Sequence, residues 1–300
     1  MSFTKNLKTE LCQNKMPECC TKALCYALLL FGQSFNLNKI SCLSDNNYVL
    51  NLYCSLIYKL FGITPHTEAS GGKRPMYKAF IESETDRAKI ISFFCGQNNP
   101  EETVNYDFLN KTCCKNSFMR GVFLACGQAS DPKREYRIEF RIKNPELSFI
   151  LFDFFYKRNL EPKITLKGIT NVIYFKKSEC VEDFFTMLGA TSVTLELMDI
   201  KIMKDLRTNI NRRNNYELAN TSRAIEASII QRAAIKRLMD NGKFETLPEE
   251  LQEIALLRTA NPEASLTDLC KLSPVSITRS GMNHRLQRIV AAAQSLNKEE

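Results

Sequence analysis

The sequence predicts an α+β chain: a domain built of two repeats of the order αββαββα, followed by an all-α helix-turn-helix domain. Three observations carry this. The segment Cys113-Cys-Lys-Asn-Ser-Phe-Met-Arg-Gly-Val-Phe-Leu-Ala-Cys-Gly-Gln128 has a fainter copy, Cys19-Cys-Thr-Lys-Ala-Leu-Cys-Tyr-Ala-Leu-Leu-Leu-Phe-Gly-Gln33. Glu135 to Ile142 alternates strictly, with Tyr136, Ile138, Phe140 and Ile142 on one face and Arg137, Glu139 and Arg141 on the other. From about Thr191 the periodicity is wholly helical. The expected divisions are 1–95 and 96–200 for the repeats, 201–242 for a basic helical linker and 243–300 for the helix-turn-helix domain.

Both copies of the repeated segment open on adjacent cysteines, continue as an apolar run and close on Gly-Gln. Two such helices approach closely only where side chains are small, so Ala27 and Gly121 suggest packing around a pseudo-twofold axis. Before the first copy, Phe3, Leu7 and Leu11 recur at spacing four and predict a short amphipathic helix over 2–15. After it, Phe35 to Leu43 is a strand candidate. Asp45 opens a helix carrying Val49, Leu52, Leu56 and Leu60 to Gly62, and Pro75 to Glu82 is a strand. Ser70-Gly-Gly-Lys73 reads as a hairpin tip rather than a phosphate loop, because it lacks the strand-to-helix setting. Ser83-Glu-Thr-Asp86 is a capping box for a helix through Phe94.

In the second repeat a helix over 145–157 follows the alternating strand. Strands near 163–167 and 171–176 join at Gly168, and a helix from Ser178 is closed by Gly189. Lys163, Thr165 and Lys167 face away from Ile164 and Leu166. The region 201–213 concentrates Lys201, Lys204, Arg207, Arg212 and Arg213 against Asp205; Asn214-Asn215 interrupts it, and a second helix over 222–240 ends at Asn241-Gly242. Pro248 then opens a helix carrying Leu251, Ile254 and Leu257. Ser265-Leu-Thr-Asp268 caps a short one, Ser273-Pro274 makes the turn, and Ser276 or Thr278 caps a third. That third helix buries Met282, Leu286, Ile289 and Ala293 in one arc. Opposite lie Ser280, His284, Gln287 and Arg288, flanked by Arg279, Asn283 and Arg285.

Phe118-Met-Arg-Gly-Val-Phe-Leu-Ala-Cys-Gly-Gln-Ala-Ser130 resembles the LAGLIDADG helix of homing endonucleases, in which an acid just before the terminal glycine holds the catalytic metal. Here that residue is Cys126. In the register that aligns the two Cys-Cys pairs its counterpart is Gly32. A divalent ion that activates water needs hard oxygen ligands, and neither position supplies one. An endonuclease scaffold without its acids is the pattern of the WhiA family of bacterial regulators. Asn209-Ile-Asn-Arg-Arg-Asn-Asn-Tyr-Glu-Leu-Ala-Asn220, Asn261-Pro-Glu-Ala-Ser-Leu266 and Ser280-Gly-Met-Asn-His-Arg-Leu286 resemble that family's linker and helix-turn-helix. Tyr216 departs from the linker pattern, where a cysteine is usual.

The resemblance implies a non-enzymatic DNA-binding protein with roles in transcriptional control, cell division, chromosome segregation and, in sporulating bacteria, sporulation. It also implies that the exposed sheet faces form a saddle over duplex DNA. Thr278, Arg279, Ser280, Asn283, His284, Arg285, Gln287 and Arg288 are the candidate helix-turn-helix contacts: amides suit adenine, arginines suit guanine or phosphate, and short hydroxyls suit phosphate. His284 is equally a candidate structural hydrogen-bond partner. Arg137, Arg141, Lys163 and Lys167 on the sheet, with Lys204, Arg207, Arg212 and Arg213 in the linker, are candidate phosphate contacts or plain solvated faces. Asp131, followed by Pro132, reads as a turn residue rather than a replacement metal ligand. The expected partner is double-stranded DNA. The alternative is a chromosome-associated interaction protein whose repeat domain docks RNA polymerase or another regulator.

Composition agrees with this reading and narrows it. A net charge of +8 over 300 residues favours an anionic partner. Twelve cysteines occur without one Cys-x-x-Cys, and His66 and His284 are the only histidines. Zinc sites of the usual spacing are therefore not expected, and the cysteines read as small core residues of a reduced compartment. No catalytic group, metal or cofactor is assigned. The apolar run 23–31 is too short to span a bilayer, and Glu10 and Glu18 precede it without a cleavage site after Gly32, so a cytoplasmic, nucleoid-associated protein is expected and no membrane partner.

Overall fold

The computed structural model describes residues 3–14, 16–71, 75–96, 100 and 103–296. The chain folds as two compact units, Met1–Met203 and Lys204–Glu300. In the first unit, α1 (Phe3–Gln13) and α2 (Glu18–Leu30) precede a hairpin of β1 (Ser34–Phe35) and β2 (Ile40–Ser44). The single strand expected over 35–43 is thus two, because Asn36 and Lys39 exchange backbone hydrogen bonds and turn the chain. α3 (Asn47–Phe61) is capped by Asn46 rather than begun at Asp45: the Asn46 side chain accepts from the Tyr48 N–H. Gly62 ends it in the left-handed conformation at φ 72°.

β3 (His66–Ser70) and β4 (Met76–Phe80) complete an antiparallel sheet of order β1-β2-β4-β3. The two strands pair as a hairpin; Gly72 and Lys73 of the expected tip lie outside the described residues. α4 (Glu84–Cys95) begins at the expected box, with Ser83 Oγ accepting from the Asp86 N–H.

The second repeat follows the same plan. α5 (Thr112–Cys126) leads into β5 (Gly127–Ala129), β6 (Ile138–Ile142), α6 (Pro145–Tyr156), β7 (Lys163–Lys167), β8 (Thr170–Phe175) and α7 (Ser178–Leu188). The sheet order is β5-β6-β8-β7. Ile138, Phe140 and Ile142 are buried, as the alternation requires. Phe140, Phe155, Phe175 and Phe184 pack ring to ring behind them at centroid separations of 4.8–6.3 Å. Asp131 is a turn residue: Oδ1 accepts from the Lys133 N–H at 2.9 Å.

α2 and α5 are the shared centre of this unit. A Cβ on Gly121 would stand 2.6 Å from Ala27 Cβ and 2.7 Å from the Leu24 carbonyl oxygen, so the helices touch backbone to backbone where small residues were expected. At the other end both helices close on a glycine: ideal Cβ atoms on Gly32 and Gly127 would lie 2.7 and 2.8 Å from the carbonyl oxygens of Leu28 and Phe123. Neither Cys126 nor Gly32, the pair matched when the Cys-Cys pairs are aligned, carries a carboxylate.

α8 (Thr191–Asp240) is one uninterrupted helix. The expected break at Asn214-Asn215 does not occur, because asparagine costs a helix only about 0.7 kcal/mol per residue and an established helix propagates through so small a penalty. In the second unit its last turns pack with α9 (Glu249–Ala260), α10 (Leu266–Leu272) and α11 (Arg279–Ser295) around Leu238, Leu251, Ile254, Leu269, Met282, Leu286 and Ile289. Ser265 caps α10 through the Asp268 N–H, and Thr278, not Ser276, caps α11 through the Gly281 N–H.

Arg258, only 2% exposed, holds the loop before α10 by donating from Nη1 to the Ala264 carbonyl at 2.7 Å. Burial lowers the pKa of its guanidinium below the usual value. Arg258→Ala leaves that carbonyl unpaired and opens a cavity, and is expected to cost the C-terminal unit about 2–3 kcal/mol in urea unfolding. Arg258→Lys is expected to recover only part of the loss, since one ammonium must replace a planar donor. Among the described residues, no helix is long and apolar enough to cross a membrane.

Candidate nucleic-acid interface

In the C-terminal unit the short α10 leads through the turn at Ser273-Pro274 into α11, whose buried arc fixes its rotation. Met282, Leu286 and Ile289 are fully buried and Ala293 is 3% exposed. Every candidate contact consequently falls on the remaining circumference. Thr278, Arg279, Ser280, His284, Gln287 and Arg288 are exposed, and Asn283 and Arg285 are half-buried. The structure assigns two of them prior duties. The Thr278 hydroxyl is the N-cap, and Arg285 Nη2 lies 2.7 Å from Glu250 Oε2 of α9. Among the described residues, the side chains of Arg279, His284, Gln287 and Arg288 carry no hydrogen bond or ion pair. The helix N-terminus also offers unsatisfied N–H groups toward the side on which Arg279 and Ser280 stand.

Antiparallel registers define the outer face of the second sheet. Gln128, Glu139, Tyr174 and Lys163 form one row across β5, β6, β8 and β7, and Arg141, Val172 and Thr165 the next. Lys167 stands opposite Thr170 on the same face. Arg137, Arg141, Lys163 and Lys167 are thus brought together on one surface. Glu139 is the one acid among the strand residues of that face, and it binds both arginines: Arg137 Nη2 at 3.0 Å and Arg141 Nη2 at 2.7 Å. Burial pushes the Glu139 carboxyl up, but hydrogen bonds and charge from Arg141 and Arg137 outweigh it and hold the group below its ordinary value. The Arg137 guanidinium also lies over the Tyr174 ring, 4.5 Å from its centroid.

Lys163 and Lys167 are exposed, with no ion pair among the described residues. Ile164 and Leu166 on the opposite face are exposed too, at 38% and 68%, and β7 is an edge strand of its sheet. The matching face of the first sheet is nearly neutral among the described residues: its Lys78 is bound to Glu68 at 3.1 Å.

The C-terminal ends of α2 and α5 border a cleft of about 760 Å³. Its described lining includes Phe31, Gln33, Cys126, Gln128, Arg141 and Lys143 and no carboxylate. Burial pushes the Cys126 thiol up to about 12, with the charge of Lys8 opposing, and its Sγ donates to the Val122 carbonyl at 3.4 Å. An un-ionised, internally bonded thiol is a poor ligand for a hard cation. In α8, Arg207, Arg212 and Arg213 are exposed and Lys204 is half-buried. Arg213 forms a solvent-exposed i,i+4 ion pair with Glu217 at 2.9 Å.

At their opposite, N-terminal ends α2 and α5 bring together residues that spacing did not connect. Cys19, Cys20, Cys113 and Cys114 place all four Sγ atoms within 4.8 Å of one another. The signal lay in the repeat itself: each copy opens on an adjacent pair of cysteines, and the two helices that carry them pack together.

Comparison with known proteins agrees with this architecture. Residues 115–207 match the family profile described as the WhiA LAGLIDADG-like domain, and residues 210–293 that of the WhiA C-terminal HTH domain. The chain is 30% identical over 309 residues to a probable cell division protein WhiA of Ruminiclostridium cellulolyticum, covering 99% of each chain. It is 31% identical over 317 residues to the protein of that name in Clostridium acetobutylicum, covering 100% of this chain and 99% of the relative. The crystal structure of full-length DUF199/WhiA from Thermatoga maritima shares the fold at a TM-score of 0.60 and 22% identity, covering 98% of this chain and 99% of that one. With a LAGLIDADG-like double repeat, a helix-turn-helix and full-length relatives at this identity, the chain belongs to the WhiA family.

Proposed function

We propose that this protein binds duplex DNA without cleaving it and acts in cell division as a nucleoid-associated transcriptional regulator, with α11 as the reading element. The observation that carries the proposal is the rotation of α11: a continuous buried arc on one side leaves Arg279, Ser280, His284, Gln287 and Arg288 on the other, with their polar groups available. Such groups at the start of a helix reach base edges and phosphates in a major groove. The relatives' designation as cell division proteins supports the cellular setting, and by the same kinship roles in chromosome segregation and, in a spore-forming host, sporulation belong to the proposal. The acid-free cleft supports a non-enzymatic reading.

The deciding experiment is capture of fragmented genomic DNA by the full-length protein at physiological salt, followed by sequencing of the bound fraction. A shared motif that disappears with the α11 arginines establishes sequence-specific reading. Motif-free recovery that vanishes with added salt refutes it. Plasmid cleavage with magnesium at high protein excess would refute the non-enzymatic reading.

The second sheet is proposed as an auxiliary phosphate-binding surface. Glu139→Gln removes the acid that occupies Arg137 and Arg141 while keeping its shape. The expected result is tighter nonspecific binding and a log K against log salt slope steeper by about 1–2. An unchanged slope excludes this face from contact. A second reading, docking of RNA polymerase or another regulator, is favoured by the exposed Leu195, Ile202 and Met203 of α8.

A further inference from the structure

We propose that Cys19, Cys20, Cys113 and Cys114 form a tetrathiolate site for one zinc-class divalent cation, which ties the two repeats together at the N-terminal ends of α2 and α5. The proposal does not depend on how the protein meets DNA.

The sequence supplies the site by duplication. Each Cys-Cys pair takes the second and third positions of its helix, after Glu18 in α2 and after Thr112 in α5. The contact of Gly121 with Ala27 brings the two helices close enough for their first turns to meet. Within the first pair the Sγ atoms are 4.0 Å apart, and the Cys114 thiol donates to the Cys19 carbonyl at 3.7 Å. A tetrahedral centre with metal–sulfur bonds of about 2.3 Å requires sulfurs about 3.8 Å apart. A spread of up to 4.8 Å needs only side-chain adjustment to reach that geometry. An iron–sulfur cluster places several atoms between its thiolates and needs a wider opening. A single soft-tolerant ion fits the space and the all-sulfur donor set.

Electrostatics and access agree. Thiolates at helix N-termini face unsatisfied N–H groups, which stabilise negative charge. As the ion takes the four sulfurs, their protons pass to solvent. Four thiolates and one dication leave two net negative charges, offset by Lys111 and the helix ends. Cys113 is exposed and Cys19 half-buried, which provides an entry path; Cys20 and Cys114 are buried and supply the rigid side of the site.

The test uses the full-length protein, reduced, stripped with a chelator and titrated anaerobically with cobalt(II) alone. The expected result is saturation at one ion per chain, with the intense visible bands and sulfur-to-metal charge transfer of a tetrahedral thiolate centre, both lost when zinc is added. Alkylation followed by mass mapping should then show Cys19, Cys20, Cys113 and Cys114 protected by zinc and the other eight cysteines unaffected, a readout that needs no variant. Cys113→Ser with Cys114→Ser should abolish the cobalt bands, whereas Cys54→Ser with Cys270→Ser should keep them. Weak octahedral bands, no saturation near one equivalent, or zinc protection at other cysteines would overturn the proposal. Isolation of these four residues as disulfides that resist reduction would also overturn it.

Discussion

Gly121→Ala is expected to destabilise the N-terminal unit by about 2–3 kcal/mol, although an ordinary helix-interior Gly-to-Ala change stabilises by close to 1 kcal/mol. The sign is decided by the helix crossing. The new methyl would lie 2.6 Å from Ala27 Cβ and 2.7 Å from the Leu24 carbonyl oxygen, and the second of these is backbone that cannot rotate away. α2 and α5 must separate by several tenths of an ångström. That loosens contacts around Phe118, Val122 and Phe123, all buried, and a lost contact layer of this kind outweighs the gain in helix propensity. Thermal unfolding should show a loss of roughly 4–12 °C for a unit of this size. Adding Ala27→Gly should recover part of the loss and no more, because it removes the methyl–methyl clash and leaves the carbonyl. A double-mutant cycle with no coupling between positions 121 and 27 would refute this packing.

The same crossing shows what the sequence can and cannot disclose. Ala27 and Gly121 are legible because backbone contact between helices has a chemical signature. β6 is legible because period-two alternation admits one backbone and one orientation, and the face of α11 is legible because its apolar arc and Thr278 fix its phase. The continuity of α8 is not, since Asn214-Asn215 looks like punctuation while its energetic cost is small beside helix cooperativity. The Glu139 bridge and the four-cysteine cluster arise from placement: each residue type looks ordinary alone, and proximity in the fold gives it a chemical role. On α11 the candidate group was visible as a group, but the prior engagement of Arg285 required the packing of α9 beside it.

That engagement separates the arginines of α11 into two kinds. Arg279→Ala with Arg288→Ala is expected to weaken binding to a specific duplex by roughly 2–6 kcal/mol, about thirtyfold to more than ten-thousandfold, from two contacts of about 1–3 kcal/mol each. If either arginine touches phosphate, the salt slope should fall by about 1 for that contact, whereas loss of a base contact lowers affinity and relaxes specificity at one position with the slope kept. Arg285→Ala should behave differently. Its guanidinium is bound to Glu250 across α9 and α11, so the substitution removes a tie within the unit as well as a cation. The carboxylate is more than half exposed and solvent screens the pair, so the stability change should stay within about 1 kcal/mol. Glu250→Gln distinguishes the two duties: it frees Arg285 without deleting it and should raise duplex affinity if that side chain can swing to the DNA. Equal losses for Arg285→Ala and for the Arg279/Arg288 pair, with Glu250→Gln neutral, would place the DNA on the Arg285 flank and require a different docking rotation for α11.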